Sequence, residues 1–115
     1  MTTYRRGAVL LLRYPDSNLI TYKKRPALLI QNEAVATGIP QWIVAMITSN
    51  LARTGETRVL IRKSSPAGQA MKLLTDSVIV ADNIATIHES AIDKILGYCP
   101  CMPEVDMALR KALCL

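Results

Sequence analysis

Trp42-Ile43-Val44-Ala45-Met46-Ile47-Thr48 is apolar from its first residue to the hydroxyl of its last. The run is too short for a typical buried helix and has no polar alternate, so it predicts a central strand buried on both faces. Outward from it, the same rhythm of short apolar runs and turn signals holds over most of the chain. Ala8 to Tyr14 reads as a strand closed by the loop Pro15-Asp16-Ser17-Asn18, and Pro26 to Gln31 as a second with proline at its first position. Asn32 can cap a helical turn through Ala36. Thr57, Val59 and Ile61 alternate with Arg58, Leu60 and Arg62, which predicts a strand with one solvated, basic face. Ser77 to Ala81 and Ile84 to Ile87 read as two more strands, separated by an Asp82-Asn83 turn.

Two helices complete the reading. Ser90-Ala91-Ile92-Asp93 resembles a capping box, with Gly97 as the stop of a short helix. Val105, Ala108, Leu109, Ala112 and Leu113 recur at helical spacing, with Pro103 in the first turn and Arg110 and Lys111 near the negative end. This pattern alone predicts a five- or six-stranded barrel closed by a C-terminal amphipathic helix.

Composition bounds what such a fold does. The chain has 115 residues, enough for a single domain over 1–115, and half of them are hydrophobic although Phe is absent. Apolar runs fall far short of the roughly 20 residues of a membrane helix. Arg5 and Arg6 precede a short apolar stretch, but Arg13 ends it early and no small-residue cleavage site follows, so a cytoplasmic location is expected. Cys99, Cys101 and Cys114 form neither an even disulfide framework nor a zinc-like spacing, and read as small apolar fillers in a reducing compartment. The net charge is +5, unevenly spread: residues 1–72 hold eleven Lys/Arg against three Asp/Glu, and residues 73–115 hold three against six. A basic front half suits a polyanion such as nucleic acid, and equally a scattered solvated surface.

Four collinear segments carry a resemblance. They are Arg6-Gly7, Lys24-Arg25-Pro26-Ala27-Leu28-Leu29-Ile30, Ile43 to Ser49, and Asp76-Ser77-Val78-Ile79-Val80-Ala81-Asp82-Asn83-Ile84. In this order and spacing, from about Arg5 to Leu113, the chain resembles the MazF/PemK toxin family. The resemblance implies a mainly β, small SH3-like (PemK/CcdB-type) barrel of five to seven strands with short helices, normally a homodimer. It also implies a sequence-specific endoribonuclease that cuts single-stranded mRNA, is checked by a cognate antitoxin, and uses neither metal nor cofactor.

Cleavage without metal uses the adjacent 2′-hydroxyl as nucleophile and leaves a 2′,3′-cyclic or 3′-phosphate and a 5′-hydroxyl. The protein must then move a proton and stabilise a crowded phosphorane. Arg25, expected at the end of the first loop beside Lys23 and Lys24, suits the cationic role, because a planar fork holds two phosphate oxygens. A solvated arginine in a basic loop is its plain alternative. Thr48 ends its strand where a hydroxyl can meet the scissile phosphate, unless it merely serves strand propensity. Asp82 matches an acidic position used in proton transfer, for which a raised pKa would suit it; a turn-forming pair with Asn83 explains it as well.

Lys23, Lys24, Ser17, Thr21, Ser49, Asn50 and Asn83 are expected to contact RNA, and Tyr14, Tyr22 or Trp42 to stack bases or pack the rim. The sequence departs from the family at Gly7-Ala8, where many relatives have Gly-Asp, and at Pro15 to Thr21, where they have Gly-Ser-Glu or Gly-His-Glu. This leaves open whether Asp16, Ser17 or Thr21 serves in the first loop. Asn83 stands for the usual Gln. His88 is the sole histidine, so a two-His site cannot form in one chain, and it is expected to structure a turn. A non-catalytic barrel that binds nucleic acid or a protein such as a topoisomerase is the alternative, and a structural subunit a third.

Overall fold

The computed structural model describes residues 3–15, 20 and 22–115, with the backbone alone at 14, 15 and 22. The strands are β1 (Ala8–Pro15), β2 (Tyr22–Leu29), β3 (Gln41–Thr48), β4 (Arg58–Ile61), β5 (Ser77–His88) and β6 (Ile92–Tyr98), with helices α1 (Pro66–Ala70) and α2 (Met102–Leu113). They form one antiparallel sheet in the order β4-β5-β3-β2-β1-β6. Six strands meet the mainly β expectation; the edge strands β4 and β6 do not pair with each other, so hydrogen bonding does not close the barrel.

The sheet is buried on both faces, which explains the continuous apolar runs. In β1, Ala8, Leu10 and Leu12 join Ala27, Leu29, Val44 and Ile92 in one core, whereas Val9 faces the other with Leu28, Ala45, Ile79 and Val105. Helix α2 lies over β4 and β5 and contributes Val105, Ala108 and Leu109 to that second core, while Leu113 stays exposed. The run at β3 is central, between β2 and β5, with Val44 and Ala45 both fully buried.

Four local expectations change. Residues 81 to 83 do not end a strand: Ala45 pairs with Ile84 and Met46 with Val80, so Ala81, Asp82 and Asn83 form a bulge within one continuous β5. The Ser90 capping signal yields a single 3-10 turn, Glu89–Ala91, whose cap is His88: its Nδ1 accepts the Ser90 N–H at 3.0 Å. Residues 92–98 then become β6, because the open edge of β1 offers a ladder from Leu12 with Ile92 to Ala8 with Tyr98. Gly97 is therefore no helix stop; a Cβ there would come 2.3 Å from the Ala70 carbonyl oxygen, so glycine permits a close backbone approach.

The Asn32 segment forms a turn instead of a helical one, with Asn32 Oδ1 accepting the Ala34 N–H at 3.0 Å. Helix α1 is an element the sequence reading passed over. Its signal was present, since Ser65 Oγ accepts the Gly68 N–H at 3.0 Å and Pro66 occupies the first helical turn.

Candidate functional site

The second strand starts earlier than expected, so Lys23, Lys24 and Arg25 lie on β2 and not in a loop. Pro26 sits inside the strand, paired with Leu11 of β1. Pairing with β3 covers only Ala27 with Met46, Leu28 with Ala45 and Leu29 with Val44. Proline is thus on a stretch that has a strand neighbour on one side, where a missing N–H is tolerated. Continuing the β2–β3 register past the end of the ladder sets Pro26 opposite Ile47 and Arg25 opposite Thr48. Where the two strands part, a cleft opens.

That cleft has a volume of about 280 Å³. Leu11, Pro26, Ile47, Leu73 and Leu96 give it apolar walls, and Lys24, Arg25, Thr48, Ser49, Lys72 and Thr75 its polar groups. Thr48 Oγ1 accepts the Asn50 N–H at 3.1 Å, which fixes the hydroxyl and leaves its proton to donate. Ser77, also at the cleft, is committed to the Thr75 carbonyl oxygen at 2.9 Å. Lys24 Nζ reaches Asp93 Oδ2 at 3.2 Å, and Asp93 also binds Arg13 at 2.9 Å. These hydrogen bonds and charges, Lys24 first, hold the Asp93 carboxyl below the usual carboxylate range. Among the described residues no carboxylate lies within ion-pair distance of Arg25.

Of the residues expected from sequence, Arg25, Thr48, Ser49 and Lys24 meet at this cleft, whereas Lys23, Asn50, Asp82 and Asn83 do not line it. Asn50 Oδ1 accepts the Ala52 N–H at 3.1 Å and shapes the turn after β3. Asp82 receives a two-pronged grip from Arg58, Nε to Oδ1 at 3.0 Å and Nη2 to Oδ2 at 2.9 Å. That hydrogen bonding pushes its pKa down, the reverse of the raised value expected of a proton-transfer acid. Ser17, Thr21 and Asp16 lie outside the described residues, as do the side chains of Tyr14 and Tyr22. Trp42 does not line the cleft; it meets Tyr4 edge-on at 5.5 Å and donates to Glu89 Oε1 at 3.2 Å. Sequence reasoning missed Lys72 and Thr75, which no local pattern marks.

The model of PemK-like, MazF-like toxins of type II toxin-antitoxin systems matches residues 5–113. The chain belongs to this family. Among solved structures, the toxin is similar to an endoribonuclease in complex with its cognate antitoxin from Mycobacterial species, at 28% identity and a TM-score of 0.73, over 98% of this chain and 97% of that one. A second endoribonuclease from Mycobacterial species matches at 27% identity and a TM-score of 0.72, over 100% and 95% of the two chains. The Deinococcus radiodurans MazE-MazF structure, at 18% identity and a TM-score of 0.71 over 98% and 97%, shares the fold. A search of curated protein sequences gave no match.

Among the described residues no group of three or more His, Cys, Asp or Glu could hold a metal ion. None of the described helices is long and apolar enough to cross a membrane.

Proposed function

We propose that the chain is a metal-independent endoribonuclease that cuts single-stranded mRNA in the cytoplasm, as the toxin half of a toxin-antitoxin pair. The observation that carries this reading is that Arg25 and Thr48, distant in sequence, come together at one cleft where β2 and β3 part. The two Mycobacterial relatives described as endoribonucleases support it.

In this mechanism the 2′-hydroxyl gives up its proton to a general base as its oxygen bonds phosphorus, and the bond from phosphorus to the 5′-oxygen breaks. One proton is returned from a general acid to the departing 5′-oxygen, so that the net change is the transfer of a single proton from the 2′- to the 5′-oxygen. Arg25 offsets the charge that builds on the phosphorane, and Thr48 donates a hydrogen bond from its hydroxyl to a non-bridging oxygen. A first-loop group, Asp16, Ser17 or Thr21, supplies proton transfer or RNA contact. Ser49, Lys23, Lys24, Asn50 and Asn83 contact flanking nucleotides, while Asp82 serves as the anchor of Arg58. The toxin acts as a homodimer, and its cognate antitoxin restrains it, a reading supported by the antitoxin-bound relative.

Purified protein incubated in EDTA with a long unstructured RNA should give fragments with 5′-hydroxyl ends. Arg25→Ala and Thr48→Ala should each lower the rate about 100-fold or more without loss of folding. Cleavage of an all-deoxy substrate, or strict dependence on Mg²⁺, would refute the reading. Cell toxicity retained by Arg25→Ala would favour the non-catalytic binder.

A further inference from the structure

Helix α1 ends on a residue that a helix end seldom uses. Lys72 has φ 58°, and among the described residues only it and Cys114 are non-glycine residues with positive φ. The conformation closes the helix: the Lys72 N–H bonds the Gln69 carbonyl at 3.2 Å, and the Leu73 N–H bonds that of Gly68 at 3.1 Å. Leu73 is thereby buried in the core. Glycine makes such a cap without steric cost, and asparagine makes it with little. The backbone therefore explains the left-handed turn but not the lysine, and strain kept at a cleft points to a use for the side chain.

Two further observations point the same way. The Lys72 stem lies against β6 at Gly97, where an added Cβ would stand 3.2 Å from Lys72 Cγ, so this glycine leaves the stem its bed. Five cations of the basic front half, Arg6, Arg13, Lys24, Arg58 and Arg62, each hold an aspartate. Lys72, like Arg25, lines the cleft and has no carboxylate within ion-pair distance among the described residues. An ammonium and a guanidinium on one cleft, neither ion-paired among the described residues, make a site for a chain of phosphates.

We propose that Lys72 is a substrate-binding residue that holds an RNA phosphate next to the one cleaved. The assignment rests on the RNA-cleaving reading above. Its contact is to the backbone and not to a base, so it adds affinity and carries no sequence preference.

The test uses the full chain, an RNA with a single 2′-deoxy nucleotide at the mapped cut site, and the variants Lys72→Gly, Lys72→Arg and Arg25→Ala. Lys72→Gly suits the left-handed turn and should unfold at the same temperature as the parent or higher. It should bind this RNA about tenfold more weakly at low salt. The loss should be equal across RNA sequences, and the log–log salt slope should become shallower by about 0.7. In cleavage, KM should rise while kcat stays near that of the parent, and Lys72→Arg should restore KM; Arg25→Ala should lose kcat. If Lys72→Gly binds with unchanged affinity and slope while Arg25→Ala still abolishes cleavage, this assignment alone is overturned. If the parent neither binds nor cuts RNA, the assignment and the functional reading fall together.

Discussion

Asp82, Asp76 and Asp93 each have a carboxyl pKa lowered by a cationic or amide donor. The strongest contributions come from the Arg58 side chain for Asp82, the Lys63 backbone N–H for Asp76, and Lys24 for Asp93. A pKa depressed on folding means that the contribution to stability is present above the unfolded value, near 4, and is lost as pH falls through the lower folded value. Urea midpoints should therefore hold from neutral pH to about 5 and fall steadily below about 4. Asp82→Asn should lose at most about 1 kcal/mol at pH 7, because the pair is exposed, and should show a shallower acid limb. A second residue-scale expectation concerns the thiols. Cys101 is pushed up to about 12, first by burial and then by its contact with Cys99, whose sulfur lies 3.2 Å away. Thiolate being the reactive form, iodoacetamide near pH 8 should label exposed Cys114 well before Cys101 in a mass-spectrometric time course.

At the scale of elements, two glycines hold α1 and β6 close to the rest of the fold. A Cβ on Gly68 would stand 2.2 Å from the Arg62 carbonyl oxygen, and one on Gly97 2.3 Å from that of Ala70. Both obstacles are backbone atoms, which cannot swing aside as a side chain can. Gly68→Ala and Gly97→Ala should each cost about 1–3 kcal/mol, read as a lowered thermal midpoint. Both should also weaken RNA cleavage, since α1 delivers Lys72, and β6 delivers Leu96, to the cleft. The end of the β2–β3 ladder matters in the same way. Its register sets Arg25 against Thr48 while leaving the strands unpaired there, so strand geometry and not loop position aligns the two side chains.

Across the whole molecule, the basic front half and acidic back half of the sequence do not become two poles. Asp76, Asp82, Asp93 and Asp106 of the back half bind Arg62, Arg58, Arg13 with Lys24, and Arg6 of the front. The charge left for a polyanion at the cleft is therefore much smaller than the sequence count suggests. Binding of a non-cleavable RNA should show a log–log salt slope of about −1.4 to −2.1, the value for two or three phosphates on a single strand. A slope several times steeper would mean that cations beyond the cleft dominate. The same site bears on regulation: if an acidic, apolar antitoxin tail lies over Arg25 and Thr48, antitoxin and RNA should compete in a binding titration. Simultaneous binding without loss of affinity for either would exclude groove blocking.

The sequence by itself determined the mainly β class, the central β3 run and the C-terminal helix, and through the family resemblance it pointed to Arg25 and Thr48, which the fold brings to one cleft. These were legible because burial on both faces writes a continuous apolar run, an amphipathic helix writes a 3.6-residue period, and the order of the segments carries the family resemblance. Tertiary structure decided what depends on distant partners. The Ser90 capping signal lost to β6 because a full ladder along the open edge of β1 outweighs one local cap. Asp82-Asn83 became a bulge because β3 continues past it. The pKa of Asp82 fell where a rise was expected, since Arg58, 24 residues away, grips it. Lys72 entered the cleft through a left-handed cap at the end of a five-residue helix, a backbone conformation that the lysine itself gives no sign of. Local propensities are worth fractions of a kcal/mol, whereas strand pairing, ion pairing and burial act between residues far apart in the chain, so only the folded molecule brings them together.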